Sequence, residues 1–190
     1  MLWLGLGLAA WVIVILVALV VIIFITYYNR FAILGNRIDN SLAQIDVQLR
    51  KRADLVPNLV NTVKGYAKHE KSTLADLTKA RTSFLNAGDD MGKKAKAGNQ
   101  MQAALKSIFA VAENYPNLKA NENFLQLQQE LSAIEDKVAY SRQYYNDSIL
   151  SYNNSSRTFP GKMFFSLFGF KEKPYLDIPA ESRALPKVEF

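Results

Sequence analysis

The 190-residue sequence has no cysteine and one histidine, and its first charged residue is Arg30. Without cysteine there are no disulfide bridges, thiolate metal sites or cysteine nucleophiles. A zinc-binding HExxH helix is excluded as well. That motif needs a second histidine four residues after His69, and position 73 is a threonine. The sequence also has no GxSxG elbow, GxGxxG motif or Gly-rich phosphate loop. We therefore expect no catalytic residues, no cofactor and no metal.

The uncharged N-terminal stretch, residues 2–25, is continuously apolar. It exceeds the roughly 20 residues needed to span a bilayer core. Trp3 lies near one end of it and Tyr27 and Tyr28 near the other, where aromatic rings prefer the lipid headgroups. A cleaved signal peptide would have a basic start and an Ala-x-Ala-like site. We therefore expect a retained transmembrane anchor over residues 1–26.

The charges that follow this stretch predict its orientation. Arg30 and Arg37 come soon after the apolar residues, and the Arg50-Lys51-Arg52 cluster lies farther on. The positive-inside rule then places the N-terminus outside and the remaining chain in the cytoplasm. The net charge is +6, but the basic residues are interspersed with acidic ones. We therefore expect no nucleic-acid partner.

Beyond the anchor, apolar residues recur every three or four positions, which is typical of amphipathic helices. The first helix continues out of the anchor, and the stretch 86–98 looks like a flexible, charged loop. The other helices are expected at about 63–85, 100–115 and 121–153. This pattern predicts an all-α fold, in which the transmembrane helix continues into an antiparallel up-and-down bundle of about four helices over residues 27–155.

Pro57 interrupts the apolar pattern of the first helix. Because proline lacks an N–H and crowds the preceding turn, we expect a kink or a new helix there. Asp54 would cap the following turn, and Arg50 and Arg52 are both available to pair with Asp46. A sharper alternative is that Arg52, Asp54 and Pro57 form a fixed bend that shapes an assembly surface.

The C-terminal residues 156–190 are expected to form an irregular tail rich in aromatic and basic residues. After an even number of antiparallel helices, the chain returns toward the membrane. Three roles remain open for the tail: it caps the open end of the bundle, it lies in the membrane interface beside Tyr27 and Tyr28, or it binds a neighbouring subunit. The interfacial candidates are Phe164, Phe165, Phe168 and Phe170.

Several motifs together resemble the LemA family of bacterial membrane proteins over nearly the whole chain. They are the YNR motif at 28–30, IDVQL at 45–49, RxDLVPNLV at 52–60, VKGYxxHE at 63–70, YYN at 144–146 and FGF at 168–170. The resemblance implies a single-pass protein of the bacterial inner membrane with its bundle in the cytoplasm. It also implies similarity to a magnetosome membrane protein, association with membrane-bound metalloproteases and no established catalytic residues.

Two functional hypotheses follow from the sequence. The first is a non-enzymatic, membrane-anchored scaffold or interaction protein that forms homo-oligomers in the bilayer or docks a membrane partner. The small residues Gly5 and Gly7 would let neighbouring anchors approach closely. The alternative is a sensor or regulatory subunit of a membrane-bound protease or signalling complex, with Pro57 at a bend that changes its packing.

Overall fold

The computed structural model describes residues 2–67 and 69–176, and the side chains of 10–67 and 69–176. The described chain is all-α and has no strand. Four long helices form the bundle, and two short ones precede and follow the last of them. Their bounds are α1 Leu2–Tyr66, α2 Lys71–Leu85, α3 Met91–Ala112, α4 Pro116–Lys119, α5 Glu122–Arg157 and α6 Gly161–Leu167.

The described residues form two compact units. The first contains residues 2–40 and 145–175, and the second contains residues 41–144. Helices α1 and α5 contribute residues to both. In the second unit, α1 and α5 are antiparallel: Arg52 contacts Glu135, and fourteen residues on, Tyr66 contacts Asn121, which lies fourteen residues before Glu135.

Of the two alternatives predicted at Pro57, the start of a new helix is wrong, because α1 continues past it to Tyr66. Asp54 is consequently an exposed residue in a helix interior and caps no helix. The second helix therefore begins at Lys71 rather than near residue 63. Tyr66 is 43% exposed, and its hydroxyl accepts a hydrogen bond from Asn121.

The expected loop at 86–98 is also mostly helical, since α3 begins at Met91. Asp90 starts the helix by accepting a hydrogen bond of 3.0 Å from the Lys93 backbone N–H, which satisfies a donor that a helix start leaves open. Gly98 lies against α1 so closely that an added Cβ would come within 2.8 Å of Leu49. Gly98 and the buried Lys94, which looked like loop residues, are therefore packing residues.

The C-terminal stretch also contains regular structure. Helix α6 spans Gly161–Leu167, and two residues beyond it Gly169 has a φ of +70°, the left-handed conformation that suits glycine after a helix end. Residues 170–175 follow it alongside α5. Asn153 of α5 accepts a hydrogen bond from the Lys173 backbone N–H at 3.1 Å and donates one to the Lys173 carbonyl at 3.0 Å.

Candidate functional site

The apolar part of α1 lies exposed on the first unit. Of the described residues, the helix beginning at Ala10 is the one long and apolar enough to cross a membrane, and none of its most apolar stretch is buried. Trp11 is 70% exposed and Ile22 is 63% exposed. A contiguous apolar surface of this size marks contact with lipid or with a protein partner. The side chains of Trp3, Gly5 and Gly7 lie outside the described residues.

At the end of this apolar stretch, the C-terminal aromatic residues pack on α1. Phe164 stacks on Tyr27 with ring centroids 5.0 Å apart and an interplanar angle of 15°. Phe168 contacts Tyr28 edge-on at 5.3 Å and Phe24 at 4.7 Å. Edge-to-face and offset arrangements at these distances stabilise beyond the apolar area they bury.

A second layer of this aromatic cluster is buried. Phe31 has no exposed surface, and it contacts Phe165, Phe170 and Tyr152 at centroid distances of 5.3, 5.5 and 6.0 Å. The structure thus brings all six predicted interfacial residues with described side chains into one cluster: Tyr27, Tyr28, Phe164, Phe165, Phe168 and Phe170.

The sequence reasoning did not include Phe24, Phe31 and Tyr152 in this cluster. A usable signal was present on α1, since residues 24, 27, 28 and 31 are all aromatic and follow the spacing of one helix face. Tyr152 follows the spacing of apolar residues in the last predicted bundle helix, which indicates a core position but names no partner. Its place beside Phe31 depends on the packing of α5 against α1 in this unit.

Ionised groups hold the segment that follows the cluster. Arg157 donates two hydrogen bonds to Glu172, of 2.8 and 2.7 Å, and this contact lowers the pKa of Glu172. Lys173 lies 3.4 Å from Asp39. Burial raises the pKa of Tyr145 and Tyr152, and the Asp39 carboxylate raises both further. These phenols remain neutral hydrogen-bonding groups near neutral pH.

A charged network around Arg52 lies inside the second unit. Arg52 is 1% exposed, and its guanidinium donates to the Glu135 carboxylate, which also accepts from the Gln102 amide. Burial lowers the pKa of Arg52, and the carboxylate opposes that effect. Arg52 thus reaches across to α5. Of the two arginines expected as partners of Asp46, Arg50 lies 3.7 Å from its carboxylate and Arg52 does not pair with it, while the buried Lys94 contacts it at 2.7 Å.

Arg142 adds a second cation to this network. It donates a hydrogen bond of 2.8 Å to Asn99. Burial lowers its pKa, the charge of Arg52 lowers it further, and Glu135 raises it. Nothing in the sequence assigned Glu135, Gln102 or Arg142 to Arg52, because these residues are separated from it along the chain.

His69, the one histidine of the sequence, lies next to Glu70 in the short segment between α1 and α2. His69 is exposed, and the neighbouring Glu70 accepts a hydrogen bond of 3.2 Å from the Tyr115 hydroxyl. Among residues 2–67 and 69–176, no group of three or more His, Asp or Glu side chains is arranged to hold a metal ion.

Comparison with known proteins relates the chain to one family. The family model described as the LemA family matches residues 41–190. The chain is 27% identical over 124 residues to Protein LemA of Metamycoplasma hominis, covering 65% of this chain and 57% of that protein. It is 26% identical over 183 residues to Magnetosome protein MamQ 2 of Paramagnetospirillum magneticum, covering 80% of this chain and 67% of that protein.

A third relative, Magnetosome protein MamQ of Magnetospirillum gryphiswaldense, is 24% identical over 183 residues, covering 80% of this chain and 67% of that protein. None of these three relatives is named as an enzyme. The match thus spans little more than half of the Metamycoplasma protein and about two thirds of the MamQ proteins. Because the family match extends over the bundle and the C-terminal stretch, this chain belongs to the LemA family.

Proposed function

We propose that the chain is a non-enzymatic scaffold or interaction protein, anchored in the bacterial inner membrane by residues 2–25. The observation that carries the proposal is the exposed apolar surface of α1 beyond Ala10. Lipid covers such a surface without the cost of keeping it in water. The aromatic cluster supports this placement, because it fixes the C-terminal stretch at the end of the apolar segment, where aromatic rings favour the headgroup level.

Membrane flotation of the full chain tests the anchor. Val17→Arg combined with Val21→Arg puts two charges into the apolar segment, each costing about 2.5–3.5 kcal/mol at the bilayer centre. We expect this variant to leave the membrane fraction. Val47→Arg is the matched control, because Val47 is an equally exposed apolar residue of the same helix outside the segment. Loss of flotation for both variants, or for neither, contradicts the proposal.

The proposal places the N-terminus outside and the bundle in the cytoplasm, since Arg30 and Arg37 follow the segment. The cysteine-free sequence makes this directly testable. Ser72→Cys creates one exposed thiol on α2. A membrane-impermeant maleimide should label it only after the cells are permeabilised. Labelling in intact cells would show that the bundle lies outside the cytoplasm, which is the opposite orientation.

The scaffold role includes lateral self-association through the exposed apolar helix. Leu16→Cys places a thiol at a position that is 57% exposed. We expect oxidation in membranes to give a covalent dimer, whereas Ser72→Cys gives none. The scaffold role would be contradicted if the chain had the mass of a monomer in lipid nanodiscs and also captured no membrane protein.

A second candidate function is a regulatory subunit of a membrane-bound protease or signalling complex. The observation that favours it is Pro57 in the interior of α1, where the helical hydrogen-bond ladder has a gap. Pro57→Ala closes the gap, so it should change the output of the partner, such as substrate turnover by a membrane-bound metalloprotease. Unchanged turnover would remove this candidate.

A further inference from the structure

A groove lined by both polar and apolar side chains opens in the first unit where the apolar segment ends. Its volume is about 550 Å³. On α1 it begins at Thr26, directly after the last apolar residue of the segment, and continues through Asn29 and Arg30, past the apolar Ile33 and Leu34, to Arg37. Ser151 and Ser155 of α5 form its other wall.

The charge of the groove is positive. Arg30 is exposed, and no ion pair to it occurs among the described residues. Arg37, which takes part in another interaction, lies two helical turns farther from the apolar segment, a rise of about 10 Å. No carboxylate lines the groove. An anion is therefore the ligand that this wall favours, with the Arg30 guanidinium and the Asn29 amide as donors.

The hydroxyl groups of the groove have a different role. Ser151 donates its proton to the Asp147 carbonyl at 2.9 Å, Ser155 donates to the Ser151 carbonyl at 2.8 Å, and Thr26 donates to the Ile22 carbonyl at 2.7 Å. Because each hydroxyl already donates its proton to a backbone carbonyl, its oxygen remains available only as a hydrogen-bond acceptor. A ligand that complements the groove therefore combines an anionic group with hydroxyl donors of its own.

The position of the groove indicates where such a ligand comes from. Residues 2–25 give a helical length of about 36 Å, which spans a hydrocarbon core of about 30 Å. The side chains that follow immediately then lie at the level of the lipid phosphates. The Tyr27–Phe164 stack belongs to the same turns of α1, and aromatic rings favour this level as well.

We propose that this groove binds the headgroup of an anionic, glycerol-bearing phospholipid, of the phosphatidylglycerol class. Arg30 and Asn29 hold the phosphate, and Ser151 and Ser155 accept hydrogen bonds from the headgroup hydroxyls. The inference rests on the proposed function in one respect, since it requires the apolar segment to lie in the bilayer.

Native mass spectrometry of the full chain released from nanodiscs tests the site. The nanodiscs contain phosphatidylcholine with a small fraction of phosphatidylglycerol, and the measured quantity is phosphatidylglycerol retained per chain. Arg30→Gln should reduce retention about fivefold, the effect of one basic residue at a membrane surface. Arg50→Gln is the control, because Arg50 is an exposed arginine of α1 outside the groove. Equal retention by both variants overturns the proposal.

A second comparison tests the hydroxyl contacts. Ser151→Ala should lower the preference for phosphatidylglycerol over phosphatidic acid, which has the phosphate but no headgroup glycerol, and it should leave retention of phosphatidic acid unchanged. An unchanged preference overturns the assignment of the glycerol hydroxyls. Soluble glycerol phosphate at millimolar concentration should displace no lipid, and displacement would identify a soluble ligand and overturn the lipid assignment.

Membrane flotation distinguishes a failure of the lipid site from a failure of the proposed membrane anchor. If the unmodified chain does not float with membranes, the anchor fails and the lipid site fails with it. If the chain and Arg30→Gln both float and retain equal amounts of phosphatidylglycerol, the lipid site alone is wrong. Because Arg30 is exposed, its replacement leaves the packed core intact.

Discussion

Arg81 Nε of α2 donates a hydrogen bond of 2.8 Å to the carbonyl oxygen of Ala53 in α1. That carbonyl lies four residues before Pro57, so proline leaves it without its usual helical donor. Ala53 is fully buried, where water does not supply a replacement. The side chain of Arg81 therefore completes the hydrogen bonding of α1 at the position where the sequence predicted an interruption.

This contact predicts a coupling between Pro57 and Arg81. Arg81→Met should lower the free energy of unfolding by about 1–3 kcal/mol, since it leaves a buried carbonyl unpaired. In the Pro57→Ala background the N–H at position 57 returns and pairs with Ala53, so the same substitution should cost much less. The four proteins of this double-mutant cycle are the unmodified chain, the two single variants and the double variant. Their thermal unfolding in detergent, followed by circular dichroism, measures the coupling between the two positions. Additive effects would contradict the prediction.

The Arg52–Glu135 pair predicts an asymmetry between its two partners. Glu135→Gln leaves the buried Arg52 charge without its carboxylate and should cost about 3 kcal/mol. Arg52→Met should cost less, because the side chain of Glu135 is 35% exposed and remains in contact with water. Denaturant unfolding compares the two variants. The reverse order would show that Arg52 does not depend on Glu135.

Gly161 predicts a steric limit at the aromatic cluster. A Cβ at this position would overlap the carbonyl oxygen of Ser155. Gly161→Ala should therefore shift α6 away from α5 and speed trypsin cleavage at Lys162 and Lys171. Gly35→Ala is the matched control in α1, where nothing lies within 4 Å of an added Cβ. It should be neutral or stabilise by up to about 1 kcal/mol.

The Arg157–Glu172 pair predicts a pH dependence for the segment after α6. The hydrogen bonds from Arg157 lower the pKa of Glu172 below its ordinary value of 4.5 in the folded protein. Their stabilisation is fully present above that value and is lost as the pH falls through the lower, folded-state pKa. The Lys173 amide donates a hydrogen bond to Asn153, and its protection against hydrogen exchange, taken relative to the intrinsic exchange rate at each pH, should fall in that range. Glu172→Gln should show no such pH dependence of its own.

Much of the helical fold was predictable from local pattern. The spacing of apolar residues predicted the all-α class and the four long helices, because a helix that buries one face has an apolar residue every three to four positions. Their boundaries were less predictable. At 86–98, the glycines and lysines resemble a loop, and only contact with α1 shows that Gly98 is needed for close packing against Leu49.

By itself, the sequence determined the apolar segment at 2–25, the helical class and the residues available for an aromatic cluster, since each follows from composition and short-range periodicity. Tertiary structure alone decided that Phe164 stacks on Tyr27, that Glu135 accepts from Arg52 and that Arg81 donates to Ala53. These pairs are distant along the chain, and the local pattern around one partner does not specify the other. Their identity depends on how the helices pack.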